Sequence, residues 1–361
     1  MGIDTIDAID IKDLQQRGNE QDVELDLAWL NPGTDGNLNI EPEKHGLTIE
    51  SLQTSSYGEI PEHTENYTMR PRGAAARPDA TRLGIRWGEK AQSWSEAVSM
   101  LYEEAHQRQW SSATDIPWDE LPELPEDIEL AMCQLCTFLT QVEFIAGDVP
   151  GRWIKHISPD YYEVALFLAS QIMDEARHLD VFRKRALANG CGLLEAGPGA
   201  TNVLYNQDFL EMTTSLHILG EGFVQSVFRM GELFAPSPVE KRIFRLAAQD
   251  ESRHVAFGVM HVKHLLEAQP ERKDEIISYL DQQNAQGAGG GAAITTGFGT
   301  GESLAILLGG GKDNIDEGYT KLMAIRLKQV RELSQRLRVC GLGEYADGMQ
   351  SQLQAFAGAN S

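Results

Sequence analysis

Two short segments of this 361-residue chain pair a carboxylate with an imidazole at a spacing suited to holding a metal ion. They are Asp174-Glu175-Ala176-Arg177-His178 and Asp250-Glu251-Ser252-Arg253-His254, which share the form D-E-x-R-H. On a helix, residues three apart are separated by about 60° in azimuth and about 4.5 Å along the axis. The Glu and His of each segment can therefore reach the same ion. The spacing alone is weak evidence, because Glu103 and His106 repeat it. That third copy lies on an ordinary charged helix face and reads as solvated surface.

The two extended copies gain weight from two further carboxylates. Glu143 interrupts the apolar run CTFLTQVEFIAG, and Glu221 interrupts LHILGEGFVQSV. An ionised carboxylate buried without a partner costs several kcal/mol, so each of these Glu residues requires one. A metal ion serves both.

Four long helices must position these groups. The first starts near Pro125 and runs through Glu143. The second opens at Ser158-Pro159-Asp160, an N-cap followed by Pro at the first helical position, and stops at Asn189-Gly190. The third runs from about Asn206 to Leu233. The fourth opens at Ser237-Pro238-Val239-Glu240, a capping box, and continues to about Ala268. Glu143 lies 18 residues beyond Pro125, Glu175 16 beyond Pro159, Glu221 15 beyond Asn206 and Glu251 13 beyond Pro238. All four are near mid-helix, and antiparallel helices bring their middles to one level. Four carboxylates and two neutral imidazoles carry a charge that two divalent ions neutralise. Oxygen and nitrogen ligands without thiolate suit iron or manganese.

This pattern resembles the ferritin-like di-iron carboxylate superfamily, in which two helices give a Glu each and two give a Glu-x-x-His each. The resemblance spans roughly residues 125–268. It implies an all-α, ferritin-like four-helix bundle with additional helices and an irregular N-terminal arm. It also implies the metal ligands Glu143, Glu175, His178, Glu221, Glu251 and His254, around two Fe ions or a Mn/Fe pair, with O2 as co-substrate. The D-E-x-R-H form is similar to that of bacterial multicomponent monooxygenase hydroxylases, which implies that Asp174 and Asp250 hydrogen-bond the ligand histidines.

Within that superfamily the implied activity is an O2-activating oxidase or oxygenase that hydroxylates or N-oxygenates a small organic substrate, with electrons from an external donor. The alternatives are a metal-storage or scaffold subunit and a radical generator similar to ribonucleotide reductase small subunits. Those small subunits usually carry a Tyr where this chain has Phe182, and often an Asp where it has Glu143. The Thr of the multicomponent monooxygenases is replaced by Gln225, which either hydrogen-bonds a metal-bound water or packs on a neighbouring helix. The extra His of the N-oxygenases falls at Ala247. His217, four residues before Glu221, reads as an additional ligand, proton donor or substrate contact, or else as a hydrogen-bonded core histidine; His261 has the same alternatives. Gly147 and Gly258 either leave room beside the metals or allow close helix packing.

Composition limits the other classes. The net charge of −23 disfavours nucleic acid, whose phosphates must be met by Lys and Arg, and anionic membrane surfaces. No apolar stretch of about 18 residues stands out as a membrane span. The acidic N-terminus lacks the pattern of a secretion signal, so the expected compartment is the cytoplasm. Four cysteines do not suggest a disulfide framework; Cys133 and Cys136 read as reduced core residues. The expected organisation is an arm and helix over residues 1–115, the bundle over 116–270, and a Gly-rich loop with a C-terminal helix over 271–361. Residues 286–301 read as a flexible loop, a candidate lid. A homodimer is consistent with the resemblance.

Overall fold

The first bundle helix, Glu126–Ile154, follows Pro125 without a side-chain cap, and each of the other three starts at a capping side chain. Ser158 accepts a hydrogen bond from the Asp160 amide, and the short 3-10 turn Pro159–Tyr161 leads into the helix Tyr162–Ala188. Asp208 caps the next helix through the Glu211 amide at 2.7 Å, and Ser237 caps Pro238–Ala268 through the Val239 amide. Such caps satisfy amides that the first turn leaves unpaired.

These elements belong to a computed structural model that describes residues 27–30, 38–189, 191–197, 201–285 and 300–349. The chain divides into two units, Met1–Gly46 and Leu47–Ser361. In the first, Glu43 and Gly46 exchange backbone hydrogen bonds in a tight turn, with Gly46 at φ +86°. The expected divisions near residues 115 and 270 fall inside the second unit.

That unit is all-α among its described residues. Its main helices are α1 (Val98–Gln107), α2 (Glu126–Ile154), α3 (Tyr162–Ala188), α4 (residues 209–234), α5 (Pro238–Ala268), α6 (Lys273–Ala285), α7 (Thr300–Gly309) and α8 (Ile315–Val339). Helix α2 packs along α3, α4 packs along α5, and α7 packs against both α2 and α8. By length and composition α2 is apolar enough to cross a membrane, contrary to the sequence expectation. Its apolar residues are used inside the bundle, where Met132, Leu135 and Leu139 are buried. Of the candidate lid, residues 286–299 lie outside the described residues; Thr300 and Gly301 begin α7.

Helix α4 holds the main local surprise. Phe209–Met212 is α-helical, Thr213–Glu221 is π-helical, and Gly222–Phe234 is α-helical again. The wider turn is rare and occurs often at functional sites. Arg336 of α8 donates to the Ile218 carbonyl at 3.1 Å and to the Gly222 carbonyl at 2.8 Å. A Cβ on Gly222 would lie 1.9 Å from the Arg336 guanidinium, so a side chain where the π segment ends would push that guanidinium off the two carbonyls.

The polar groups occupy one layer along the bundle. One aromatic cluster contains Phe167 of α3 and Phe257 of α5, and a second contains Phe182 of α3 and Phe244 of α5 with Phe228 of α4. The residues 171–178 and 250–254 lie between them in sequence.

Candidate metal centre

Glu143, Glu175, His178, Glu221, Glu251 and His254 come together in the core, none of them more than 3% exposed. They form two overlapping groups, each with potential ligand atoms within 4.8 Å of one another. The first is Glu143, Glu175, His178 and Glu251; the second is Glu175, Glu221, Glu251 and His254. Glu175 and Glu251 are common to both. The Nδ1 atom of His178 faces Glu175 at 3.2 Å, Glu251 at 3.3 Å and Glu143 at 3.7 Å. The Nδ1 atom of His254 faces Glu175 at 3.0 Å, Glu251 at 3.4 Å and Glu221 at 3.8 Å.

Of these approaches, His178 Nδ1 to Glu175 has hydrogen-bond geometry, yet the set as a whole is not satisfied. One oxygen of each of the four glutamates, together with His254 Nδ1, is buried without a hydrogen-bond partner. Buried polar atoms are rarely left so, and five orphans converging on one space fit a set of ligands for cations.

The opposite ring edges are tied down. His178 Nε2 lies 3.2 Å from Asp250, and His254 Nε2 lies 3.2 Å from Asp174. Each Asp therefore meets the histidine of the other motif. Arg253 donates to Asp174 at 2.8 Å and also to Asp250; Arg177 donates to Asp250 at 3.1 Å and also to Asp174. The two Asp and two Arg balance in charge. Trp110 completes the set: its indole N–H donates to Asp250 at 2.7 Å, and the Arg177 guanidinium lies 5.3 Å over its ring. Sequence spacing did not reveal Trp110, which stands between α1 and α2.

The remaining sequence candidates resolve as follows. His217 bonds to Gln171 at 3.1 Å, and Gln171 donates to Glu221 at 2.6 Å. His217 thus acts on Glu221 through Gln171, whose role was also hidden in the sequence. Gln225 donates to Ser252 at 2.8 Å, a bond from α4 to α5. His261 bonds to the Trp94 carbonyl at 2.8 Å, as a core histidine. Gly258 and Gly147 serve close packing: added Cβ atoms would lie 2.4 Å from His217 Cβ and 3.3 Å from Glu175 Cβ. Of the third E-x-x-H copy, Glu103 accepts from the Ile49 amide at 2.9 Å and His106 is exposed. Cys133 and Cys136 are buried thiols. Glu129 and Cys191 approach Cys133, but both Glu129 oxygens are taken by Arg185, at 2.7 and 2.9 Å.

The electrostatics follow from crowding four carboxylates. Burial pushes Glu143 well above the usual carboxylate range; His178 opposes this, and Glu175 and Glu251 reinforce it. Burial likewise raises Glu221, against His254 and with Glu251 and Glu175. Burial disfavours ionised Glu175 too, but His254 and His178 outweigh it and hold this carboxyl low. Burial would lower both metal-facing histidines, yet the surrounding carboxylates raise them well above 6.5. His217 is lowered by burial and by its neighbours His254 and His261.

No protein-family model matches the chain, and no curated protein matches it. Solved structures do. An R2-like ligand-binding oxidase with an aerobically reconstituted Mn/Fe cofactor is 18% identical, with a TM-score of 0.52 over 68% of this chain and 93% of that one. A point mutant with the same kind of cofactor gives 19% and 0.52, over 68% and 97%. Another point mutant, reconstituted with Fe/Fe, gives 18% and 0.52, over 68% and 94%. At this identity the likeness is one of fold: the chain has the ferritin-like helical fold of the R2-like oxidases.

Proposed function

We propose that this chain is a di-metal oxidase that uses O2 to oxidise a small organic substrate, by hydroxylation or N-oxygenation, with electrons from an external donor. The observation that carries the reading is the group of unpartnered glutamate oxygens and histidine Nδ1 in a buried layer. Glu143 and His178 would hold one ion, Glu221 and His254 the other, with Glu175 and Glu251 shared. The neighbours carrying Mn/Fe and Fe/Fe cofactors support either pair. Such a pair would supply the redox chemistry that O2 activation requires.

The protein's own part is positional. Asp174 and Asp250 hold the imidazoles with Nδ1 directed at the ions and fix the tautomer. Gln171 holds one oxygen of Glu221 and leaves the other for a metal. Phe228 lies edge-on to His178 with ring centres 6.2 Å apart, and Phe167 edge-on to His254 at 6.4 Å. These rings exclude water and so strengthen the electrostatics of the layer.

The test is O2 uptake by the reduced, iron-loaded protein under continuous reductant. Uptake that repeats over many turnovers, while iron stays at about two per chain, supports the oxidase. Iron that accumulates well beyond that number, or uptake no faster than that of Glu251→Ala, contradicts it.

A further inference from the structure

Cys133 and Cys191 are far apart in sequence and close in the fold. Cys133 is buried on α2, and Cys191 is exposed just beyond the C-terminal end of α3. Their sulfur atoms lie within 4.8 Å of each other and of a Glu129 oxygen. Cys136 and Cys340 are buried, away from solutes.

Local contacts hold Cys191 in this place. The Gly192 amide donates to the Ala186 carbonyl at 2.8 Å, with Gly192 at φ +79°, a left-handed turn of the kind that ends helices at glycine. It folds the chain back over the end of α3. Two further bonds tie the following residues to α2: the Leu194 amide donates to Thr137 Oγ1 at 2.9 Å, and the Gln134 side chain donates to the Glu195 carbonyl at 2.8 Å.

The two thiols differ in environment. Cys133 faces two acceptors, Glu129 Oε1 at 3.4 Å and the Ala186 carbonyl at 3.5 Å. Burial, with Glu129 reinforcing it, pushes this thiol up to about 12, so Cys133 does not itself start an oxidation. Cys191 stands in solvent, where an oxidant meets it first. Burial disfavours ionised Glu129, but Arg185 and Asn189 outweigh it and hold this carboxyl low. It is therefore ready to accept a hydrogen bond from the Cys133 thiol.

We propose that Cys133 and Cys191 form an oxidation site, which hydrogen peroxide converts to a disulfide joining α2 to the chain beyond α3. In the first step the Cys191 sulfur attacks peroxide; an S–O bond forms, the O–O bond breaks and water leaves. In the second the Cys133 sulfur attacks the sulfenic sulfur of Cys191. The S–S bond forms and the S–O bond breaks. The Cys133 proton, relayed by Glu129, joins the departing hydroxyl as a second water. The two thiols lose two electrons, and one peroxide gains them. Cys191, free to change rotamer at the surface, closes the remaining gap. The bond staples α2 to a segment now held without a covalent link, and so restricts the unfolded chain. Neither cysteine belongs to the metal layer, and the proposal does not depend on metal occupancy.

The test is to treat the full-length protein with a small excess of hydrogen peroxide and map it by mass spectrometry without reduction. The expected product is a Cys133–Cys191 link within one chain, with the intact mass lowered by two hydrogens and restored by dithiothreitol. The oxidised protein should also unfold at a higher temperature than the reduced one. Cys133→Ser should abolish the link and raise trapping of the Cys191 sulfenic acid by dimedone several-fold, because nothing then resolves it. Wild-type protein in which Cys191 goes on to sulfinic acid or joins two chains, with no link to Cys133, overturns the proposal. Equal dimedone trapping in the wild type and Cys133→Ser overturns it too. The wild-type mapping decides the matter even if the variant fails to fold.

Discussion

Asp174 lies 3.2 Å from Nε2 of His254, a residue 80 positions away on another helix, and not against His178 of its own motif. Asp250 repeats the relation with His178 at 3.2 Å. Each D-E-x-R-H segment thus supplies a metal-facing pair to the layer and a brace to the other segment. The arrangement couples α3 to α5 through charge-assisted bonds that are stronger than neutral ones. Asp174→Asn or Asp250→Asn should therefore weaken metal binding about 10- to 100-fold, measured by competition with a chelator. The double variant should lose less than the product of the two, because the same pair of Arg residues serves both. Unchanged affinity in both single variants would show that the braces do not orient the rings.

The two glycines that bring helices together should differ in how they tolerate a methyl group. In Gly258→Ala the new Cβ would meet His217 Cβ at 2.4 Å. That contact is close to the backbone, so α4 and α5 must move apart, at a cost of about 1–3 kcal/mol. In Gly147→Ala the contact with Glu175 Cβ is 3.3 Å, and a gain in helix propensity of about 1 kcal/mol offsets much of it. Denaturant unfolding should rank Gly258→Ala well below Gly147→Ala; the reverse order would contradict the packing described here.

Arg185 is the centre of a second buried charge group, bonded to Glu129 at 2.7 and 2.9 Å and also to Glu240. Arg185→Met would leave two carboxylates buried without their cation, a loss of about 3–5 kcal/mol. Replacing all three residues with apolar ones of similar volume should cost much less. A single variant as stable as the wild type would mean that water replaces the guanidinium.

His261 gives the stability a pH dependence of known sign. Burial lowers its pKa from 6.5 to about 4, so the folded form keeps it neutral where the unfolded chain takes up a proton. Its contribution is full above pH 6.5 and is lost as pH falls from there toward 4, at about 1.4 kcal/mol per pH unit. Between pH 7 and 5 the wild type should lose about 2 kcal/mol more than His261→Gln. Parallel losses in the two proteins would contradict this.

The sequence carried the metal-facing set because helix spacing and depth are properties of a single chain segment. Glu143 and Glu221 stood out only because apolar residues surround them. The crossed Asp–His pairing, the Gln171 bridge to Glu221 and the Trp110 bond to Asp250 depend on how different helices meet, which periodicity within one helix does not encode. The π segment Thr213–Glu221 was also hidden, since its apolar residues are compatible with an ordinary α-helix until Arg336 and Gly222 are seen together.

Metal content per chain tests the central claim most directly. Wild-type protein expressed in iron-rich medium should carry about two iron or manganese ions, the number that di-metal carboxylate bundles hold. Glu175→Ala, which removes a side chain common to both positions, should lose most of both, and Glu221→Ala should lose chiefly one. Wild-type protein without bound metal, or metal content that neither substitution changes, would mean that the buried layer is a charge network stabilised by protons and not a metal centre.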